Sequence, residues 1–233
     1  MSVELGLGEQ EIIQRLKKVN SVIGSLKVSF DIDGVEVNST STAIAKLNRN
    51  LGTNYWVGDL VSYWSMVDLV KKARPGIEDP KQYAINLWNS DDVFGVALPE
   101  LGSWILSKYL DEMEIGIYRV TSRPSSVSDV TFDWYRRFMP WVNPELIHIQ
   151  KGQKHNARFK ADTISGLGVE LHFDDSVEDA KYIVSRTSAR VVLIPQPWNL
   201  NREIAEPRIL ISNVATDDPA KLFRVYLDLF GRI

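Results

Sequence analysis

The sequence predicts an α/β protein, in which a parallel sheet is covered by helices on both faces and a helical segment is inserted after the first strand. Three observations predict it. Short β-rich runs alternate with stretches whose apolar residues recur at helical spacing. Several of those runs end in polar, chemistry-bearing residues. Roughly eighty residues separate the first run from the second, far more than a plain crossover needs.

Residues 9–24 place Ile12, Ile13, Leu16, Val19 and Ile23 at helical spacing between charges, which predicts an amphipathic opening helix with a packing role. LKVSFDIDG at 26–34 reads as a buried strand that delivers aspartates at its C-terminal end. Further strands are predicted at 115–122, 146–149, 169–175, 190–194 and 208–211. Helices are predicted at 101–112, 128–138, 176–186 and 217–230, the last capped by Thr216 or Asp217. Between the first two strands, YWVGDLVSYWSMVDLVKK and DPKQYAINLWNS carry large apolar residues at helical spacing, interrupted at Arg74-Pro75-Gly76. The expected division is a core of residues 1–38 and 99–233 and a helical insertion at 39–98.

Composition narrows the chemistry. Among the 233 residues there is no cysteine, which excludes disulfides, thiolate nucleophiles and cysteine-ligated zinc, and only His148, His155 and His172 offer imidazole. Catalysis would fall to carboxylates. A net charge of −3 gives no general pull toward a nucleic-acid polymer or an anionic membrane. No apolar run is long enough to span a bilayer and the start has no signal-peptide pattern, so a cytoplasmic protein without membrane contact is the default expectation, with oligomerisation left open.

Strand ends hold the candidate site, because open α/β sheets place their ligands there. Two residues apart in an extended segment, Asp31 and Asp33 would point to one side and could converge on a metal ion or a substrate oxygen, with Gly34 turning the backbone away. An ordinary Asp/Gly turn is the blander reading. Thr121-Ser122-Arg123-Pro124 supplies hydroxyls, backbone N–H groups and a guanidinium suited to phosphate oxygens, although Arg123 could equally be a surface ion-pair partner. The adjacent carboxylates of Asp174 and Asp175 would repel without a cation between them. Lys160, in FKADTISGLG, could reach back to the same pocket. His172 reads as a packed histidine, and Glu178 and Asp179 as residues favouring a helix N-terminus.

Over residues 26 to about 200 these segments resemble the four motifs of the haloacid-dehalogenase-like superfamily: FDIDGVEVNS the first, VTSRP the second, and KADTISGLGVELHFDD the third and fourth. The resemblance implies a Rossmann-like core with a helical cap of the C1 type. It also implies Asp31 as nucleophile and Asp33 as acid/base. Thr121, Ser122, Arg123 and Lys160 would contact phosphate, and Asp31, the Asp33 main-chain carbonyl, Asp174 and Asp175 would hold Mg2+. VTSRP, HFDDSVEDA and IPQPWN look like the branch containing 5'-nucleotidases and deoxyribonucleotidases. One departure is Glu36, where the family usually has an apolar residue; it could tune substrate choice, face solvent or signal altered activity.

The activity implied is a Mg2+-dependent phosphomonoesterase acting on a small phosphorylated metabolite, with a nucleoside monophosphate foremost. A non-catalytic nucleotide- or protein-binding relative and a phosphotransferase or phosphomutase are the alternatives. Tyr55, Trp56, Tyr63, Trp64 and Trp88 are candidates for stacking on a base, against the simpler reading that they form the core of the insertion.

Overall fold

Six parallel strands in the order β3-β2-β1-β4-β5-β6 form the sheet of this computed structural model, which describes residues 26–62, 64–112, 114–151, 156–200, 204–211, 214–215 and 224–226. The strands are β1 (Val28–Phe30), β2 (Ile117–Pro124), β3 (Ile147–Gln150), β4 (Leu171–Asp174), β5 (Arg190–Leu193) and β6 (Ile209–Ile211). Each expected strand is present, and the parallel sheet with flanking helices is the one the sequence predicts. The expected helix over 9–24, Tyr63, His155 and most of the helix over 217–230 lie outside the described residues; Arg224, Val225 and Tyr226 are helical.

Sequence order reverses on either side of β1, so the chain winds away in both directions and leaves a crevice at the C-terminal ends of β1 and β4. One face of this centre is apolar: Val28, Phe30, Leu171 and Phe173 share one cluster with Leu106 and Leu110 of α5 (Leu101–Glu112). Phe30 and Phe173 are paired in register and meet edge to face at 4.9 Å, an arrangement contributing about 0.5–1.5 kcal/mol beyond burial.

Between β1 and β2 lie α1 (Ser39–Leu51), α2 (Ser65–Ala73), α3 (Pro80–Trp88) and α4 (Asp91–Phe94). Local chemistry sets their ends. Asn38 accepts from Ser41 N at the start of α1, and Gly52 closes it at φ +66°. Asp79 caps α3, where Pro80 occupies the first turn. These helices bury Ile44, Leu47, Leu69, Val70, Leu87 and Phe94 against one another, and Val127 and Trp198 of the sheet-bearing part join that cluster.

The expected extended run through Asp33 stops early. β1 ends at Phe30, Asp31 N still donates to Phe173 O, and then a tight turn brings Asp33 opposite Val37. Asp31 and Asp33 are therefore brought to one cavity by a turn, and not by strand alternation. Where the chain returns from the helices, Val37 bridges Pro99, Asn38 N donates to Leu98 O, and Glu100 N donates to Glu36 O.

Glu36 lies beneath these two connections with 0% exposure. Its carboxylate accepts from Arg119 Nε (3.2 Å), Arg119 Nη2 (3.0 Å) and the Tyr135 hydroxyl (2.5 Å), and Arg119 also donates to Ser107 Oγ and Ile117 O. Burial, reinforced by the Glu36 carboxylate, pushes the Tyr135 hydroxyl well above its ordinary value, so it stays a donor. Glu36 thus neither faces solvent nor lines the cavity, and its charge is answered by Arg119. Removing one partner of such a pair strands the other charge in the interior, a loss of about 3–5 kcal/mol. Glu36→Ala should lower the unfolding free energy by about that amount in urea titration; a loss below about 1 kcal/mol would show that water or repacking replaces the pair.

Candidate active site

Asp31 follows β1, Asp174 ends β4, and both reach the crevice because their strands are neighbours at the point where the strand order reverses. Lys160 comes from α7 (Asn156–Leu167), which packs over β2 and β3. Its Nζ donates to Asp31 Oδ2 at 2.9 Å and to Asp174 Oδ2 at 2.8 Å, and lies 2.9 Å from Asp179 Oδ2. Asp179 belongs to the first turn of α8 (Val177–Arg186), which Ser176 caps. One ammonium with three donors therefore meets three carboxylates in the interior.

Asp174 is the most tightly held of these acids. Its Oδ2 also faces His172 Nε2 at 3.1 Å, and its Oδ1 accepts from Ser176 N. Since Asp174 is an acceptor, His172 presents Nε2–H to it, and its Nδ1 is hydrogen-bonded to Ser29 Oγ, 2.8 Å away. Ser29 and His172 are register partners on β1 and β4, so a packed histidine, as the sequence suggests, also orients an acid.

Asp175 is fixed differently. Gly34 has φ +75°, and a Cβ there would stand 2.5 Å from Asp175 Oδ2, so the turn admits no side chain. The Asp175 carbonyl accepts from Trp198 Nε1 and Asn199 Nδ2, and Gln196 Nε2 donates to Gly34 O. Oxygens of Asp31, Asp174 and Asp175 lie within 4.8 Å of one another. An all-carboxylate, buried donor set fits a hard cation such as Mg2+ and suits zinc or copper poorly. The Asp33 carboxylate is outside this group: both its oxygens accept from Arg123, Oδ2 from Nε at 2.8 Å and Oδ1 from Nη2 at 2.7 Å. Of the two sequence readings for Arg123, an ion pair is observed, but within the site and 2% exposed.

A cavity of about 530 Å³ opens over these groups. Asp31, Asp33, Thr121, Ser122, Arg123, Lys160 and Asp175 all line it, while Asp174 lies behind Lys160 with 0% exposure. Thr121 Oγ1 accepts from Arg123 N, and the buried Ser122 Oγ has no hydrogen-bond partner among the described residues. The pairing of β2 with β3 shifts register between Thr121 and Pro124, and this irregularity re-aims Ser122 and Arg123 into the cavity. Trp64 and Trp88 line its far wall; Tyr55 packs within the helices, and Trp56 is 69% exposed.

Sequence reasoning missed three contributors. Asp179 read as a helix-dipole residue, and only its place one turn into α8 opposite Lys160 makes it an ion-pair partner. The link from His172 to Asp174 needed the β1–β4 register. Trp198 lines the cavity from a loop whose only sequence signal was the IPQPWN run.

No protein-family model matches the chain. Among solved structures, a HAD hydrolase of family IA, variant 3, from Entamoeba histolytica superposes with a TM-score of 0.54 at 16% identity, over 85% of this chain and 99% of that one. A provisionally named phosphoglycolate phosphatase from Haemophilus somnus gives a TM-score of 0.55 at 17% identity, over 85% of this chain and 96% of that one. The chain has the haloacid-dehalogenase-like fold. A provisionally named β-phosphoglucomutase from Thermotoga maritima shares that fold at a TM-score of 0.52 and 12% identity, over 88% of this chain and 99% of its own. In sequence, a Bacillus subtilis protein provisionally named the nucleotidase YqfW is 24% identical over 174 residues, 75% of this chain and 82% of that protein.

The electrostatics follow from burial and from Lys160. Burial pushes the Asp31 carboxyl up to about 7, Lys160 opposing the rise and Asp174 and Asp33 adding to it. Burial and the neighbouring Asp174 and Asp31 charges hold Asp175 well above the usual carboxylate range. Asp174 is driven the other way: against burial, Lys160 and the His172 hydrogen bond keep it below that range. Lys160 is raised well above its ordinary value, the three carboxylates outweighing burial.

An unfolded Asp31 would titrate near 3.8 and the folded one near 7, so between those values the folded protein binds the extra proton. In protein stripped of divalent cations, this group's contribution therefore makes stability fall as pH rises from about 4 to about 7. The lowered Asp174 acts in another window, its contribution present above about 3.8 and lost as pH falls. Urea midpoints of chelated protein should be lower near pH 7.5 than near pH 5, and Mg2+ should restore much of the difference. A midpoint that rises over that interval and ignores Mg2+ would contradict this account.

Proposed function

We propose that this chain is a Mg2+-dependent phosphomonoesterase that works through an aspartyl-phosphate on Asp31 and acts on a small phosphorylated metabolite, a nucleoside monophosphate foremost. The observation that carries it is the convergence of Lys160 with Asp31 and Asp174, beside Asp175, at the floor of a cavity large enough for a small metabolite.

Asp31 supplies the nucleophilic carboxylate oxygen, and bonds from Ile32 N to Oδ1 and from Lys160 to Oδ2 fix the plane of the carboxylate. Displacement at phosphorus transfers the phosphoryl group to Asp31, and Asp33 gives a proton to the departing ester oxygen. Asp33 then takes a proton from the water that releases phosphate from Asp31. Thr121 and the unpartnered Ser122 hydroxyl are donors for the phosphoryl oxygens, and Lys160 contributes its positive charge beside them. Mg2+ held by Asp31, Asp174 and Asp175, with the Asp33 carbonyl, would offset repulsion between the carboxylate nucleophile and the phosphate.

Residues 39–98 serve as a cap. Their helices contribute Leu60, Trp64, Met66, Ile85 and Trp88 to the cavity, an apolar, aromatic wall suited to a flat base and to excluding water during transfer. The name of the Bacillus subtilis relative agrees with that choice of substrate. Names of the fold neighbours include a phosphatase and a phosphomutase, so the panel below includes sugar phosphates.

Phosphate release should be measured from nucleoside monophosphates, sugar phosphates and phosphoglycolate, with Mg2+ and with excess chelator. Release that needs Mg2+ and favours nucleotides is expected, and no release from any compound would overturn the proposal. Asp31→Asn should remove turnover, whereas Asp33→Asn should slow it by about 10²- to 10⁴-fold.

A further inference from the structure

We infer that Arg123 is a positioning residue for Asp33, setting the aim of the acid/base group and not clamping the substrate phosphate. This rests on the phosphomonoesterase reading above. The guanidinium is 1% exposed and commits three of its five N–H groups to the protein. Its Nε and Nη2 take both Asp33 oxygens at 2.8 and 2.7 Å, and its Nη1 donates to Thr131 Oγ1 at 3.1 Å. Thr131, in α6 (Ser128–Phe138), is itself anchored through its hydroxyl to Val127 O. The face of the guanidinium lies over the Phe94 ring, 4.2 Å from the centroid, at the end of α4.

A planar group held at its fork, at its back and on its face has one orientation. Asp33 needs such a guide because it sits on a turn beside Gly34, with a side chain that is still 17% exposed. A two-pronged bond fixes both of its torsions and leaves a lone pair on each oxygen, so Asp33 can exchange a proton with a leaving group or water while still held. Because Phe94 belongs to the helices and Arg123 to the sheet, the aim of Asp33 is also tied to how the helices sit.

Arg123→Lys keeps the charge and removes the fork, and two esters separate the roles. An alkyl monoester leaves as an alkoxide and needs the Asp33 proton; p-nitrophenyl phosphate leaves as a stable phenolate and does not. With Arg123→Lys the first step on the alkyl ester should slow by about 10²-fold or more, while the nitrophenolate burst changes by only a few fold and KM stays near that of the unaltered protein. Thr131→Val, which removes only the support at Nη1, should show the same split more weakly. An equal loss on both esters, or a raised KM with kcat unchanged, would overturn the inference and make Arg123 a phosphate ligand. A crystal structure of Arg123→Lys decides independently of activity: Asp33 should leave its present rotamer, and its retention there would overturn the inference. If the unaltered protein turns over neither ester, the phosphatase reading fails, and the crystal structure still decides whether Arg123 sets Asp33.

Discussion

Everything around the crevice depends on a single buried ammonium. Lys160 is 2% exposed and faces Asp31, Asp174 and Asp179, so three acids that would otherwise force one another to protonate share one counter-charge. The balance is uneven. Asp174, with added bonds from His172 and Ser176 N, keeps its charge most firmly, while Asp31 stands near neutrality. A carboxyl poised there gains or loses its proton readily when a cation enters the crevice.

Geometry around that ammonium is rigid on one side and adjustable on the other. The sheet side is closed by register pairs such as Ser29 with His172 and by Gly34 against Asp175, where a single methyl group would not fit. The helical side meets the site through apolar and aromatic contacts, with Phe94 on Arg123 and the helical cluster against Trp198, which tolerate sliding better than hydrogen bonds do. Between the two, the Glu36–Arg119–Tyr135 cluster fixes the place where the chain leaves the sheet and comes back.

Much of this could be read from the sequence because α/β periodicity and strand-end chemistry are local signals. The six strands, the inserted helices and the placement of Asp31, Asp33, Thr121, Ser122, Arg123, Lys160 and Asp175 around one cavity all follow from short runs of residues. What could not be read depends on which strands become neighbours. Asp179 acquires its role only across the gap between two helices, and Glu36 finds Arg119 only because β2 lies beside β1. The turn at 31–37 also defeats a rule of alternation, since backbone hydrogen bonds from Glu36 N and Val37 N to Ile32 O curl the segment that was expected to stay extended.

The strand order has a consequence for biosynthesis. Lys160 and Asp31 are 129 residues apart, and Ser29 and His172 are 143 apart, yet each pair is in contact at the centre of the sheet. Such non-local closure is slow to reach and brings no reward until the late segments exist. Until the ribosome has delivered residues 160 to 174, Asp31 has no Lys160 to neutralise it and β1 has no β4 to lie against. Asp31 therefore waits for that stretch to be made before it gains its counter-charge and its neighbouring strand.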